Sequence, residues 1–158
     1  MQNQQNSPTR SNPVIRFSRS NGPNGWMSLH DPYGFKYLGG KWANTAEAWY
    51  SIIHNVSHED FKKGHYKTTD PHYNDTEKYD HLLGILKAKI ETHPILEQFL
   101  LDTQDSPLVY SVSHFASQDQ KFLGIDETEN LGRNKLGTAW TEIRDQLQKQ
   151  KQCQTINN

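Results

Sequence analysis

Leu131 to Leu147 reads L-G-R-N-K-L-G-T-A-W-T-E-I-R-D-Q-L and joins a glycine-containing polar turn directly to an amphipathic helix. Gly132 and Gly137 flank Asn134, and glycine lets the backbone adopt positive φ or approach another group closely. This stretch therefore predicts a rigidly held turn followed by the last helix of the domain. The apolar residues of that helix recur at helical spacing and predict one face packed against a core: Leu136, Trp140, Ile143 and Leu147.

The length of 158 residues suits one ordinary domain. Mean hydropathy is −0.92, and much of this polarity lies at the two ends of the chain. Residues 1–25 are rich in Gln, Asn, Ser, Pro and Gly, so we expect them to be mostly disordered, with residues 1–13 forming a disordered tail. Residues 149–158, K-Q-K-Q-C-Q-T-I-N-N, are expected to be a frayed polar tail. The domain is accordingly placed at residues 14–148.

Charge and cysteine content exclude several classes of protein. Lys and Arg number 17 and Asp and Glu 18, which gives a net charge of −1 with no basic face, so no strong nucleic-acid-binding surface is predicted. No apolar run reaches transmembrane length and the N-terminus lacks a signal-peptide core, so we expect no membrane association and a cytoplasmic location. The single Cys153 excludes an internal disulfide. The composition carries no signal for an oligomeric state.

Hydrophobic periodicity predicts a mostly helical α+β domain with a few short strands. Residues 55–77 are expected to form a long polar connection with one helical turn near Glu59–Lys63, and Ser113–Lys135 is expected to be a loop. The predicted strands are Val14–Phe17, parts of Trp26–Leu38, and Pro107–Val112, the clearest of them. The predicted helices run from Asn44 or Thr45 to Ile53, over Tyr79–Ile90, from Pro94 to Leu100, and onward from the Asn134 turn.

Two familiar kinds of site are excluded by the residues themselves. His54 and His58 would share a helix face and His65 follows, but a zinc hydrolase motif needs Glu directly after the first His, where Asn55 stands. We therefore predict no metal site and no cofactor. Gly132 and Gly137 have the spacing of P-loop glycines, yet Thr138 replaces the required lysine, which excludes a nucleoside triphosphatase.

Glu47 is the first candidate for a functional carboxylate. Trp42, Trp49 and Tyr50 would give it an aromatic setting in which burial raises its pKa. It also lies three residues after Asn44, the spacing of a capping box. The two interpretations are compatible, because a cap fixes the rotamer that a site requires.

Asp119 is the second candidate carboxylate. It precedes Phe122-Leu123-Gly124 in the predicted loop and would face a pocket formed with the Asn134 turn. The alternative is an ordinary loop aspartate.

Taken in order, these segments resemble the NADAR family, also called YbiA-like, over roughly Val14 to Leu147. The order of the segments and the closing G-x-N-x-L-G pattern carry the resemblance. The matching segments are Gly39-Gly40-Lys41-Trp42 through Glu47-Ala48-Trp49-Tyr50, then Leu86-Lys87-Ala88-Lys89-Ile90 and His93-Pro94, the strand Leu108-Val109-Tyr110, and Gly132-Arg133-Asn134-Lys135-Leu136-Gly137.

The resemblance implies a reaction and a class of substrate. The family includes N-glycosidases that cleave a bond between ribose C1 and nitrogen in phosphorylated riboflavin precursors or ADP-ribosylated nucleobases, so a small nucleotide or ADP-ribosylated substrate is expected. By analogy with glycosidases, Glu47 and Asp119 would be the catalytic carboxylates that stabilise positive charge at C1 or orient a water. The expected substrate-binding residues are Trp42, Trp49 or Tyr50, one of which would stack on a base, together with Gly132 and Asn134, whose turn would receive phosphate.

Several pocket positions depart from the family pattern. Family members usually carry Glu-His-Tyr-Tyr-Gln followed by a lysine, whereas Ala48 follows Glu47 here and His54 stands at the lysine position. In the Asp-x-x-Trp-Gly segment, Leu123 replaces the tryptophan and Gln120 the aspartate, which leaves Asp119 one residue out of register. The alternative is therefore a catalytically weakened NADAR-fold module that binds an ADP-ribose or NAD-type nucleotide.

Overall fold

A computed structural model describes residues 11–64 and 73–158 of the chain. Over these ranges helices predominate and the strands are short, which confirms the predicted α+β class. The elements in chain order are β1 Ile15–Phe17, β2 Phe35–Tyr37, β3 Gly40–Trp42, α1 Thr45–Ile53, α2 His58–Lys62, α3 Asp75–Thr92, α4 Ile95–Asp102, β4 Leu108–Tyr110, α5 Gln118–Leu123, β5 Ile125–Asp126, β6 Leu131–Gly132 and α6 Lys135–Ile156.

The strands pair two at a time. β1 pairs in parallel with β4, Ile15 opposite Leu108, and so joins the N-terminal segment to the second half of the domain. β2 and β3 form an antiparallel hairpin whose turn contains Leu38 and Gly39, both at positive φ. β5 and β6 form a second antiparallel pair. These pairs are too small to make layers of their own, so the core is formed mainly by helices.

Helix α3 lies at the centre of the domain and packs against α1, α6 and β2. The side of α3 that faces these elements is apolar, with Leu82, Ile85 and Leu86 fully enclosed. Asn74 begins the helix through a capping box with Glu77. Trp49 of α1 and Trp140 of α6 are the largest side chains in the surrounding core.

A buried ion pair lies at the C-terminal end of α3. Lys89 is fully enclosed, and its Nζ donates to Asp31 Oδ2 at 2.5 Å and to the Trp26 carbonyl at 2.7 Å. Burial lowers the pKa of Lys89 to about 8, although the Asp31 carboxylate opposes this shift. Burial likewise raises the pKa of Asp31 against the effect of Lys89. Each charge therefore depends on the other for its stabilisation.

The segment Trp26–Asp31 connects three helices. Lys89 of α3 holds its two ends, the Leu29 carbonyl accepts a hydrogen bond from the Ala46 amide at 2.9 Å, and the Met27 carbonyl accepts one from Trp140 Nε1 at 3.0 Å. The segment therefore fixes α1, α3 and α6 relative to one another.

Two expectations about irregular regions are wrong. Ser113–Lys135, expected to be a loop, contains α5 and the β5–β6 hairpin. Residues 149–158, expected to fray, continue α6 as an exposed helix through Ile156. A third expectation is wrong in part: residues 20–25, within the stretch expected to be mostly disordered, form turns in which the Gly25 amide donates to the Gly22 carbonyl at 3.0 Å.

Within residues 11–64 and 73–158, none of the helices has both the length and the apolar composition that crossing a membrane requires.

We expect the Asp31→Asn variant to lose about 3 kcal/mol of unfolding free energy at pH 7, because it leaves Lys89 buried without its counter-ion. The double variant Asp31→Asn/Lys89→Met should lose less than the two single variants together, since no buried charge remains. Urea denaturation, with the exposed Asp102→Asn as control, measures these differences. Strict additivity of the two single variants would contradict the assigned pairing.

Candidate functional site

An open cleft of about 420 Å³ lies between α3, α5 and the turn before α6. This volume falls in the range that small-ligand sites commonly have. Its walls combine one aromatic ring with charged side chains of both signs, which come from three separate elements: Asp75 and Lys78 of α3, Asp119, Lys121 and Phe122 of α5, and Arg133.

Asp119 lies in the wall of this cleft and is bonded to His54. His54 Nε2 donates to Asp119 Oδ2 at 2.8 Å, with the His54 side chain 3% exposed and the Asp119 side chain 20% exposed. His54 therefore fixes Oδ2 of the Asp119 carboxylate, while part of the carboxylate remains exposed in the cleft. His54 stands where the family pattern has a lysine, and Asp119 lies one residue from the family's aspartate position. The structure brings these two side chains together.

The local cap of α5 explains why Asp119 takes this position. Ser117 and Gln120 form a capping box, in which the Gln120 side chain accepts a hydrogen bond from the Ser117 amide at 2.9 Å. Gln120 is therefore engaged at the start of its own helix, and Asp119 is the acidic residue of the first turn, where a carboxylate is favoured. Leu123, at the tryptophan position, is fully buried.

Tyr50 stacks on protein side chains. Its ring lies nearly parallel to His54, with centroids 6.2 Å apart, and to Phe61, also at 6.2 Å. The contact with His54 restricts the plane of the imidazole ring. One observed partner of Tyr50 is therefore the histidine that holds Asp119.

Glu47 is a structural cap with a charged carboxylate. Its amide donates to Asn44 Oδ1 as predicted, and its carboxylate accepts from the Ala43 amide at 2.8 Å and from His58 Nε2 at 2.9 Å. Burial raises the pKa of Glu47, but these hydrogen bonds outweigh burial and lower it overall. The expected upward shift is wrong, and Glu47 does not line the cleft.

The two candidate tryptophans differ in exposure. Trp49 is 0% exposed, donates to the Lys78 carbonyl at 3.0 Å and stacks on Phe122 with ring centroids 5.7 Å apart. It cannot stack on a ligand base; instead it supports the aromatic wall of the cleft. Trp42 is half-buried, and its ring lies 5.6 Å from that of His58 in an edge-on contact.

Asn134 joins β4 to the start of α6. Its Oδ1 accepts from the Tyr110 amide and its Nδ2 donates to the Leu108 carbonyl, both at 2.9 Å. Its φ of 48° lies in the left-handed region, which asparagine tolerates better than most residues. Both polar groups of the Asn134 side chain therefore bond the backbone of β4, which gives this residue a structural role.

Gly132 lines the cleft, and the two amides that follow it already have backbone partners. A Cβ at Gly132 would lie 2.3 Å from the Gly124 carbonyl oxygen, and φ is 131°, so only glycine fits. The Arg133 amide donates to the Lys121 and Gly124 carbonyls, and the Asn134 amide to Gly124. The Arg133 and Asn134 amides are therefore engaged within the protein.

Cationic side chains that sequence reasoning missed border the cleft. Lys78 Nζ lies 5.8 Å and the Arg133 guanidinium 5.3 Å from the Phe122 ring centroid. Arg133 also forms an ion pair with Asp75, whose pKa is lowered mainly by that hydrogen bond. Arg133 lies inside the G-x-N-x-L-G pattern, next to Asn134. Its place in that pattern was the signal from which its position at the cleft could have been predicted.

In the part of the chain that the structure describes, no three His, Cys, Asp or Glu side chains are grouped closely enough to hold a metal ion. His65, considered with His54 and His58, lies outside the described residues.

Comparison with known proteins identifies the fold. No family model and no curated protein matches the sequence. The structure is similar to the NMR structure of YbiA from E. coli, with a TM-score of 0.70 and 22% identity over 89% of this chain and 88% of that chain. This chain has a YbiA-like fold. The fold expected from the sequence resemblance is confirmed, and at this identity the fold alone is shared.

We expect Asn134→Gly to lower the unfolding free energy of this YbiA-like domain by about 2 kcal/mol, because two backbone groups of β4 lose their partners. Asn130→Gly is a matched control, since Asn130 is exposed and also has positive φ, at 53°. Equal stabilities of the two variants in urea denaturation would show that the Asn134 side chain does not stabilise β4.

The lowered pKa of Glu47 predicts a pH dependence of stability. The folded state binds this proton more weakly than the unfolded chain, so the stabilisation is present above the ordinary pKa of 4.5 and is lost as pH falls through the lowered value. Wild type should therefore lose more unfolding free energy than Glu47→Gln between pH 6 and pH 3, while the exposed Glu129→Gln should follow wild type. Parallel profiles for wild type and Glu47→Gln would contradict the assignment.

Proposed function

We propose that this protein is an N-glycosidase-type hydrolase that cleaves the bond between ribose C1 and nitrogen in an ADP-ribose-like or ribose-phosphate substrate. The observation that carries the proposal is the partly exposed Asp119 carboxylate, held by His54 in the wall of a ligand-sized cleft. The resemblance of the sequence to a family of N-glycosidases points to the same reaction.

The chemistry requires a carboxylate in this kind of position. Breaking the C1–N bond develops positive charge on C1 and the ring oxygen, and a fixed carboxylate nearby stabilises that charge. Hydrolysis adds the hydroxyl group of water to C1 and a proton to the departing nitrogen. Asp119 can accept the proton of the attacking water because one oxygen is fixed by His54 and the carboxylate is open to the cleft.

Glu47 is proposed as the second catalytic carboxylate, with a smaller effect on the rate than Asp119. It lies seven residues before His54 on α1, which places both on one face of the helix, two turns apart. Its bonds to Ala43 and His58 keep it charged, so it contributes through the electrostatic potential rather than by contact. Trp42, half-buried beside His58, is the remaining candidate for stacking on a base.

A nucleotide-binding module without turnover is the second candidate. One observation favours it. The sequence resemblance aligns Tyr110 of β4 with a position that is usually acidic in the family, and Tyr110 is a buried core side chain that packs on Phe17. On this alternative the cleft binds the nucleotide, and Asp119 contributes to affinity only.

Hydrolysis is tested by incubating the purified protein with NAD, ADP-ribosylated nucleic acid and phosphorylated riboflavin precursors, and following the released base by chromatography. Asp119→Asn should lower kcat/KM by about 100-fold, because a fixed charge is removed from the reacting centre. Asp145→Asn, an exposed substitution on α6, should retain full activity.

The outcomes separate the two candidates. Ligand binding without base release from any of these compounds would favour the binding module and overturn the hydrolase. Release at an unchanged rate by Asp119→Asn would show that the reaction does not use this carboxylate.

A further inference from the structure

A second concavity, the α3–α4–α6 groove, has a volume of about 420 Å³ and lies between the end of α3, the start of α4 and the middle of α6. It shares no lining residue with the cleft that contains Asp119. Its floor is apolar and is formed by Ile90, Pro94, Ile143 and Leu147. A groove with an apolar floor between helices is a surface on which one face of a further helix can dock.

The rim of this groove carries acidic side chains without counter-ions. Glu91 of α3 and Glu97 of α4 line it, and within residues 11–64 and 73–158 neither forms an ion pair. Lys87, one turn before Glu91, supplies one positive charge against these two negative charges. Glu97 is half-buried, so a cation beside it is screened less than on the open surface. The groove therefore suits a helix face that combines apolar groups with positive charge.

The last two turns of α6, residues 149–156, present such a face; we call them the α6 extension. Every residue of the extension is exposed, and its sequence contains two lysines and no acidic residue. Lys149, Cys153 and Ile156 follow one another at four- and three-residue spacing and so share one side of the helix. Ile156 is 83% exposed. Since most of the stability of a short helical segment comes from packing, contact with another surface would stabilise the extension.

The extension cannot occupy the groove of its own chain. Ile143 in the groove and Ile156 in the extension belong to one continuous helix, which separates them by 13 residues or about 20 Å. The same groove on a second copy has no such restriction. In a dimer with two-fold symmetry, each extension lies in the groove of the other copy, and every contact forms twice.

We propose that the protein forms a two-fold symmetric dimer in which the α6 extension of each copy docks in the α3–α4–α6 groove of the other. Cys153 and Ile156 contact the apolar floor, and Lys149 approaches the partner's Glu91 and Glu97. The proposal is independent of the proposed hydrolysis, because neither the groove nor the extension lines the cleft that contains Asp119.

Sedimentation equilibrium of the full-length chain, from about 1 μM to about 500 μM, tests the dimer. We expect a dissociation constant on the order of 10–100 μM, because the contact surface is small. Ile156→Ser should weaken dimerisation at least about 10-fold, since an apolar contact is lost twice in each dimer. The unfolding free energy of its monomer should match that of wild type, because Ile156 is exposed in the single chain.

Charge exchange tests which surfaces meet. Lys149→Glu should weaken dimerisation about 10-fold, because like charges then face each other at both contacts. Lys151→Glu is the matched control, since Lys151 is exposed on the opposite side of the same helix and should have little effect. Glu91→Lys should weaken dimerisation in the same way as Lys149→Glu. The double variant Lys149→Glu/Glu91→Lys should recover most of the affinity, because the opposite charges have exchanged places.

A monomer at every concentration would overturn the proposal, and so would a dimer that Ile156→Ser and Lys149→Glu leave unchanged. A double variant that dimerises no better than either single variant would overturn the docking of the extension in this groove. Base release by a protein that stays monomeric would overturn this inference alone. A dimer that shows these variant effects but releases no base would support this inference while overturning the hydrolase.

Discussion

The buried pair of Lys89 and Asp31 is the constraint on which the arrangement of the helices depends. An ammonium group enclosed among Trp140 and Tyr33 would be strongly destabilising without a carboxylate and a carbonyl directly beside it. Those partners come from the segment Trp26–Asp31, so this segment has one acceptable position against α3. Because α1 and α6 bond to the same segment, their positions follow from it.

The geometry of the cleft depends on this arrangement of α1, α3 and α6. His54 is the C-cap of α1, and Asp119 of α5, 65 positions later in the sequence, bonds to it. The position of α5 depends in turn on Asn134, because the Gly124 carbonyl at its C-terminus accepts the Asn134 amide while the Asn134 side chain holds β4. The His54–Asp119 contact therefore requires two anchors in different parts of the domain, neither of which touches the cleft.

These dependencies explain which features the sequence could predict. Helix α3 and the first turns of α6 repeat apolar residues at helical spacing, a local signal that survives in the folded protein. Helix α5 has only six residues, too few for a period, and its one local signal was the capping pair Ser117 and Gln120. Trp49 was predicted to contact a base because it lies two residues after Glu47. Positions two apart on a helix point in different directions, and the Trp49 side chain packs against Phe122 and Tyr50.

Contacts between charged groups were the least predictable part, because they depend on tertiary distances. The sequence pointed to Asp119 as a candidate but could not pair it with His54, and it gave no reason to join Arg133 to Asp75. Burial then determines what each pair does. The His54 side chain is almost fully enclosed. If it separated from Asp119, its ring nitrogen would lose a hydrogen bond without gaining one to water, so the pair stays together. Arg133 and Asp75 are solvated, so either can change partner at little cost. The same cleft thus holds one carboxylate whose position is fixed by a buried partner and one ion pair that is solvated on both sides.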